Sequence, residues 1–256
     1  MATIDYVVIG AGYAGLMCAE ALMDKGFKTL VFDMRSSGGE IAVFSKLEEF
    51  RSKYEKYIEK VEEIREDIPV DIGTVIKSKP VIINSGNGLK RYEARRVILA
   101  TGATDAAPVK LNVLSKKVGG IYTLDNALRE ISENNRIGEK VLLAAKDDAV
   151  VKLAESQLSE LGYEVEISEL TSDIQVIGKD RVEGVEISGV RYSCDTLVVY
   201  GGRSPFNPLK LRGAPVGNVV TCTYDYSRVE ENVKTSFYPN KTYSVDFVKL
   251  FHFLPS

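Results

Sequence analysis

The chain has 256 residues, 45% hydrophobic and 27% charged, with 33 basic against 36 acidic side chains and a net charge of −3. This balance excludes global disorder, collagen-like repeats and coiled coil, and it leaves no basic surplus for nucleic acid. Three scattered cysteines (Cys18, Cys194, Cys222) exclude a disulfide framework or a CxxC pair, and a single His252 excludes a histidine-rich metal site. No basic leader precedes the apolar run that starts at Ile4, and no run approaches ~20 apolar residues. The expectation is a cytoplasmic protein with no membrane span and no metal.

The chain opens on Tyr6-Val7-Val8-Ile9, a β-branched apolar run suited to a buried parallel strand. Gly10-Ala11-Gly12-Tyr13-Ala14-Gly15 follows, then apolar positions at helical spacing from Leu16 to Met23, closed by Gly26. Thr29-Leu30-Val31-Phe32 is the next strand and ends at Asp33, completing a βαβ unit of roughly 30 residues. Ser36-Ser37-Gly38-Gly39 reads as a loop. The highly charged stretch Ser45–Glu66 places Leu47, Phe50, Tyr54, Tyr57, Ile58, Val61 and Ile64 on one face, which predicts a single amphipathic helix. The pattern then turns to β: a strand over Asp71–Lys77, a hairpin around Ser85-Gly86-Asn87-Gly88, and a buried strand Val97–Ala100 stopped by Thr101-Gly102.

A second unit begins near Lys140. It has a strand Val141–Ala144, a helix Ala149–Leu161 ending at Gly162, a strand Tyr163–Ile167, and two short strands at Ile174–Ile177 and Val182–Ile187. The buried strand Thr196–Tyr200 then runs into Gly201-Gly202. The layout repeats that of the first half. Val219–Thr223 reads as one more strand, and the apolar tail Tyr243–Leu254 reads as a segment that docks into the core or on a partner subunit.

The glycine turn carries the first chemistry. Gly10 permits a tight turn after the strand, Gly12 lets backbone approach a pyrophosphate, and Gly15 lets helix and strand pack closely. The helix start offers free N–H groups to phosphate. Asp33 stands at the end of the second strand, where a carboxylate accepts from ribose hydroxyls. Strand, helix, closing glycine and terminal acid together predict a dinucleotide site.

With Gly10–Gly15, Asp33, Gly38-Gly39 and Arg95-Arg96-Val97-Ile98-Leu99-Ala100-Thr101-Gly102-Ala103, the chain resembles the two-dinucleotide-binding flavoproteins, the thioredoxin-reductase-like superfamily. The resemblance runs roughly from Asp5 to Asn207. It implies an α/β fold: a Rossmann-like FAD-binding domain with a β-hairpin insertion (residues 1–104 and 205–256) around a smaller, degenerate NAD(P)-binding-like domain (residues 105–204). It implies FAD as cofactor, with Asp33 on the adenosine ribose and Gly12 to Gly15 at the pyrophosphate. The cofactor-binding set that follows is Gly10, Gly12, Tyr13, Ala14, Gly15, Asp33, Met34, Arg35, Gly39, Glu40, Val75, Ala100, Thr101, Gly102 and Asp225. Tyr13, Glu40 and Phe44 are the residues expected nearest the flavin, and no catalytic base is assigned. Asp225 enters as a stand-in for the family's late Gly-Asp, with a helix cap or turn as its other reading.

Two departures from the resemblance bear on function. The redox cysteines of the disulfide reductases are absent after Gly38-Gly39, where Glu40-Ile41-Ala42-Val43-Phe44 follows. The second glycine fingerprint is replaced by Ala145-Lys146-Asp147-Asp148-Ala149, in which two carboxylates repel phosphate and suit helix capping. The exit strand ending in Gly201-Gly202-Arg203-Ser204-Pro205 resembles FAD-binding subunits of dye-linked amine or amino-acid dehydrogenases and sarcosine-oxidase-like complexes. The expected activity is therefore FAD-dependent oxidoreduction of an unknown small-molecule substrate, without dithiol chemistry or tight NAD(P)H binding, in a homo-oligomer or with a partner subunit. The alternatives are a free-standing NAD(P)H-dependent flavin reductase and a non-catalytic FAD-binding assembly subunit.

Overall fold

A computed structural model describes residues 4–111, 113 and 118–237. In chain order the elements are β1 (Ile4–Ile9), α1 (Tyr13–Met23), β2 (Thr29–Asp33), α2 (Gly39–Phe44), α3 (Glu48–Arg65), β3 (Val70–Ile72), β4 (Thr74–Ser78), β5 (Val81–Ser85), β6 (Gly88–Tyr92) and β7 (Ala94–Leu99). There follow β8 (Ala103–Asp105), a 3-10 turn at Pro108–Leu111, β9 (Ile121–Thr123), α4 (Leu124–Ser132), β10 (Lys140–Ala145), α5 (Ala149–Glu160) and β11 (Glu164–Glu169). The last are β12 (Ile174–Ile177), β13 (Gly184–Ile187), β14 (Val190–Tyr192), β15 (Thr196–Tyr200), β16 (Arg203–Pro205), β17 (Ala214–Pro215), α6 (Asn218–Thr221) and α7 (Tyr226–Phe237). The apolar tail Tyr243–Leu254, with His252, lies outside the described residues.

The chain divides into two compact units. Among the described residues, the first gathers those up to Gly39, Lys60–Gly102 and those from Pro205 onward; the second gathers Glu40–Glu59 and those from Ala103 to Ser204. In the first unit a five-stranded parallel sheet runs β17-β7-β1-β2-β3, and a three-stranded antiparallel sheet runs β4-β5-β6. β1 lies between β2 and β7, with Val8 paired to Val31 on one side and Ile98 on the other. Its Val7 and Val8 are fully buried, as the apolar run of a central strand requires. Ile4, Val7, Ile9, Phe32 and Leu99 share one core cluster with Val75, Val81 and Ile83 of the antiparallel sheet. Helix α1 ends in a Schellman turn, in which Phe27 N–H bonds Leu22 C=O and Gly26 N–H bonds Met23 C=O, with Gly26 at φ +77°.

The second unit repeats the plan. A four-stranded parallel sheet runs β11-β10-β15-β9, and β12-β13-β14 form an antiparallel meander. Leu142, Ala144, Leu197 and Val199 of the sheet cluster with Ile174, Val185 and Ile187 of the meander. The duplicated layout read from the sequence is present in both units.

Several elements differ from the sequence reading. The expected strand Asp71–Lys77 is two strands in two sheets. Gly73 N–H bonds Asp33 C=O at 2.7 Å, and a Cβ at Gly73 would sit 2.8 Å from Asn84 O, so the chain turns there. The Ser45–Glu66 helix begins later, bends at Tyr54 (φ −112°, ψ 16°) and is preceded by α2, which follows directly on the Ser36–Gly39 loop in a stretch given no element by the sequence reading. Its first part groups with the second unit, where Glu49 N–H bonds Gln157 Oε1 of α5 at 3.0 Å. The four-stranded sheet of the second unit also has a strand earlier than Lys140, β9, which leads into α4. Val219–Thr223 is not a strand. Gly217 (φ +73°) starts the short α6, Asn218 Oδ1 accepts from Thr223 N–H at 2.8 Å, and Cys222 closes it in the left-handed region. The side-chain amide of Asn218 gives the backbone a helical alternative that outweighs the β propensity of Val-Val-Thr.

A methyl group at Gly15 would lie 1.9 Å from the backbone O of Gly10, a residue whose own N–H bonds Phe32 C=O at 2.7 Å. Gly15→Ala is therefore expected to destabilise the first unit by about 1–3 kcal/mol or more, as overpacking does. Urea denaturation followed by circular dichroism measures this, and an unchanged midpoint would contradict the packing described.

Candidate functional site

Four loops converge at the C-terminal end of β1. The glycine turn is packed so tightly that a Cβ at Gly10 (φ +106°) would lie 2.2 Å from Ala100 O. Gly38 N–H bonds Ala11 C=O at 2.8 Å, and Gly12 and Gly38 form a parallel bridge, which brings the Gly38-Gly39 loop alongside. Asp33 braces the turn from β2: its Oδ2 accepts Ala11 N–H at 2.8 Å and its Oδ1 accepts Arg35 N–H at 2.9 Å. Gly12 itself is open, since a Cβ there would meet only Gly39 Cα at 3.9 Å. Gly10 and Gly15 are thus needed by the fold, whereas Gly12 keeps clear the approach to the start of α1.

Beside the turn lies a small open cavity of about 100 Å³, lined by Gly10, Asp33, Met34, Val75 and Thr101 together with Phe32, Gly73, Phe206–Leu209 and Leu211. Its walls are mainly apolar. The Phe206–Leu211 wall is stapled: Phe206 N–H bonds Gly102 C=O at 3.0 Å, and the Asn207 amide bonds Leu211 in both directions at 2.8 and 2.9 Å. Sequence reasoning missed this segment; the Asn207-Pro208 pair, a turn signal, marks it.

Among the other expected residues, Tyr13 is buried and its ring packs edge-to-face on Tyr226 of α7 at 5.9 Å. Ala14 and Ala100 are buried beside the turn. Met34 is half exposed, and Gly39 and Gly102 hold positive φ. Glu40 and Phe44 belong to the second unit. Phe44 is stacked in an aromatic cluster with Phe50 (4.9 Å) and Tyr54 (4.8 Å). Asp225 is exposed and caps α7, accepting from Ser227 N–H at 3.0 Å and Ser227 Oγ–H at 2.6 Å; these bonds hold its carboxyl below the usual range. This is the other of the two readings the sequence left open. The glycine that follows the last sheet strand is instead Gly217, with Asn218 after it. A Cβ on Gly217 would lie 2.2 Å from Ala14 Cβ, so the pair sits against the first turn of α1. A Gly followed by Asn rather than Asp hid this position from the sequence reading.

In the second unit, the start of α5 is closed by its own chain. Asp148 Oδ1 accepts Val150 N–H at 3.2 Å, and Asp148 Oδ2 accepts Tyr200 Oη–H at 2.8 Å. Burial, with this bond second, raises the Tyr200 phenol above its ordinary value. A buried ionic cluster holds Arg203, whose guanidinium bonds Glu40 at 2.6 and 3.1 Å and Ala103 C=O at 3.1 Å, with Asp105 at 3.5 Å and Asp125 at 3.9 Å. Burial, then the neighbouring Glu40, pushes the Asp125 carboxyl up to about 8. Burial also raises the Cys18 thiol and pushes Cys194 up to about 11, so neither is a ready nucleophile at neutral pH.

The glycine turn, bracing acid and open helix start define a Rossmann-type dinucleotide-binding protein. The chain belongs to the pyridine nucleotide-disulphide oxidoreductase family, whose model matches residues 4–141. Members of this family are FAD-dependent oxidoreductases, and FAD is the cofactor the family implies. Among curated relatives, thiamine thiazole synthase of Pyrobaculum calidifontis is 34% identical over 106 residues, covering 40% of this chain and 35% of that protein. Dimethylamine dehydrogenase of Hyphomicrobium sp. is 29% identical over 103 residues, covering 39% of this chain and 14% of that protein. Among solved structures, L-proline dehydrogenase from P. horikoshii superposes with a TM-score of 0.62 at 23% identity, over 80% of this chain and 43% of that one. The chain thus spans about a third or less of the curated relatives it matches.

The residues present fit the cofactor. Ser37 Oγ and Thr101 Oγ1, on the loops that flank the glycine turn, are enclosed with no hydrogen-bond partner among the described residues. Buried hydroxyls nearly always have one, and the open face of Gly12 is the cradle a Cβ would fill.

Two outcomes are expected. Gly12→Ala should leave the thermal midpoint within a few degrees yet weaken FAD binding at least ~10-fold, because its methyl group intrudes only on the phosphate approach; calorimetric titration of both proteins measures it. The raised Asp125 carboxyl makes folding bind a proton. Its contribution to stability is complete below its ordinary value of 3.8 and is lost as pH rises through about 8. The difference in thermal midpoint between wild type and Asp125→Asn should therefore shift against wild type between pH 5 and 9, read by scanning calorimetry.

Proposed function

We propose that the first unit holds FAD in an extended pose along the end of β1 and that the protein is an FAD-dependent oxidoreductase, or the FAD-binding subunit of one. The observation that carries this reading is the open Gly12 face between the closed contacts at Gly10 and Gly15, next to a cavity that Asp33 helps to line. In it, Gly12 and the α1 N–H groups take the diphosphate, and Asp33, already oriented by two backbone donors, uses its remaining lone pairs on the ribose. Gly10, Val75, Thr101 and Met34 line the adenosine side. Gly39 backs the diphosphate, and Gly217-Asn218, rather than Asp225, serves the first turn of α1 from the far side. When bound, FAD supplies hydride or single-electron exchange with a small-molecule substrate; the chain's own residues bind it, orient it and exclude water.

The second unit, read as residues 105–204 of a degenerate nucleotide-binding domain, takes no NAD(P)H tightly. Asp148 occupies the α5 start that a dinucleotide phosphate needs, and Asp147 adds a second negative charge beside it. No pair of cysteines stands where a dithiol would serve the flavin. Electrons then enter from an amine or amino-acid type substrate, as the names of two relatives, dimethylamine dehydrogenase and L-proline dehydrogenase, favour. The reading includes a cytoplasmic location and an assembly, as homo-oligomer or with a partner subunit. Among the described residues no helix is long and apolar enough to cross a membrane.

Anaerobic stopped-flow with the FAD-loaded protein tests the direction of electron entry. L-Proline, sarcosine or dimethylamine should bleach the flavin band near 450 nm, while NADH and NADPH should do so at least ~100-fold more slowly than an ordinary turnover rate of about 10 s⁻¹. Bleaching by NADH at that rate with none by the amines would replace the proposal by the flavin-reductase alternative. No bleaching by any of them would favour the non-catalytic subunit.

A further inference from the structure

We propose that the loop from Phe206 to Leu211 is a fixed wall for the adenine base of FAD, with Leu209 the specificity-determining contact and Asn207 the residue that positions it. The inference rests on the FAD reading above and concerns the first unit alone, to which every residue it uses belongs. Asp33 decides which half of the cofactor enters the cavity. Its carboxylate accepts Ala11 N–H of the glycine turn at 2.8 Å, and the same residue lines the cavity beyond. A ribose held on Asp33, with its diphosphate at the start of α1, therefore directs the attached base into that cavity. The lining suits a flat heterocycle, since Phe32, Val75 and Pro208 form part of it. Met34 and Leu209, which also line it, are each 50% exposed, so apolar surface stands uncovered where a base would cover it.

The loop is held at its entry, across its span and at its exit. Phe206 N–H bonds Gly102 C=O at 3.0 Å. The Asn207 side-chain amide then bonds Leu211 in both directions: Nδ2–H donates to the Leu211 carbonyl at 2.9 Å, and Oδ1 accepts the Leu211 N–H at 2.8 Å. A side chain thus supplies the paired bonds that a facing strand residue would make. Lys210 N–H bonds Asn207 C=O at 3.1 Å, and Lys210 turns through the left-handed region at φ +50°. Beyond the loop, Arg212 N–H donates to Ser78 Oγ of β4 at 2.8 Å, and Ala214 and Pro215 pair with Ile98 and Leu99 of β7. Leu211 packs against the core cluster that holds Phe32 and Val75, so the base of the loop belongs to the core while Leu209 at its tip stands half exposed. Asn207 lines the cavity but acts through the loop. By committing its amide to Leu211 it holds Leu209 in place before the base arrives, and binding then orders less of the chain.

The test is the dissociation constant of FAD, and of FMN, which carries the flavin but no adenosine, for wild type, Leu209→Ala and Asn207→Ala. Quenching of flavin fluorescence reads it, with circular dichroism to confirm folding. The ratio of the FMN constant to the FAD constant is the readout, because a general loss of structure weakens both flavins together and leaves the ratio unchanged. Leu209→Ala should weaken FAD about fivefold, by removing apolar surface from the base, and leave FMN where it was. Asn207→Ala should weaken FAD roughly tenfold, because the loop must then be ordered on binding, again with FMN unchanged. Should Asn207→Ala fail to fold, Leu209→Ala, altered at a half-exposed side chain, decides alone. A ratio that does not fall in a folded variant overturns the inference and leaves the FAD reading standing, since wild type still binds FAD. Failure of wild type to bind FAD overturns that reading, and the inference with it.

Discussion

At the end of β1 two backbones meet where only glycine fits. Gly10 lies against the Ala100 carbonyl, and Gly15 lies against Gly10, each too near for even a methyl group. This approach sets where α1 starts, and hence where its free N–H groups point. Asp33 adds a second restraint by gripping the Ala11 N–H, so β1, β2, β7 and α1 meet at a point held by glycine and one carboxylate. Every later feature of the site, from the open Gly12 face to the cavity beside Thr101, is laid out around that point.

The two units share a plan and differ where ligand chemistry is concerned. In the first, the turn between strand and helix is glycine and its helix start faces open space. In the second, the turn is Lys146-Asp147-Asp148, and the helix start is satisfied by Asp148, itself held by Tyr200. A helix N-terminus that has its own carboxylate has little left to offer a phosphate. The sheet, the helix and the meander have been kept in the second unit, and its buried charge is organised around Arg203 instead.

Much of this was legible in the sequence because it depends on local rules. β-branched runs such as Val7-Val8-Ile9 and Leu197-Val198-Val199 are read as buried parallel strands from composition alone, and the glycine spacing with Asp33 carries its own geometry. What escaped depends on distant partners. Gly73 divides an apparently continuous strand because it passes close to Asn84 O, a contact no local pattern announces. Val219–Thr223 has β composition, yet Gly217 and the Asn218 side chain make it helical. The cavity wall at Phe206–Leu211 is a stapled loop with no periodicity to read. Glu40 looked like a residue beside the cofactor, and its carboxylate is committed to an arginine 163 positions away.

The central claim is that this arrangement holds one FAD per chain. The most direct measurement is to load the purified protein with excess FAD, remove what is free, denature it, and identify and quantify the released flavin by chromatography. The account predicts FAD at close to one equivalent per chain, with FMN offered in competition not retained. Protein that stays colourless after loading, or that retains FMN as readily as FAD, would contradict it, because the adenosine side of the site would then contribute nothing to binding.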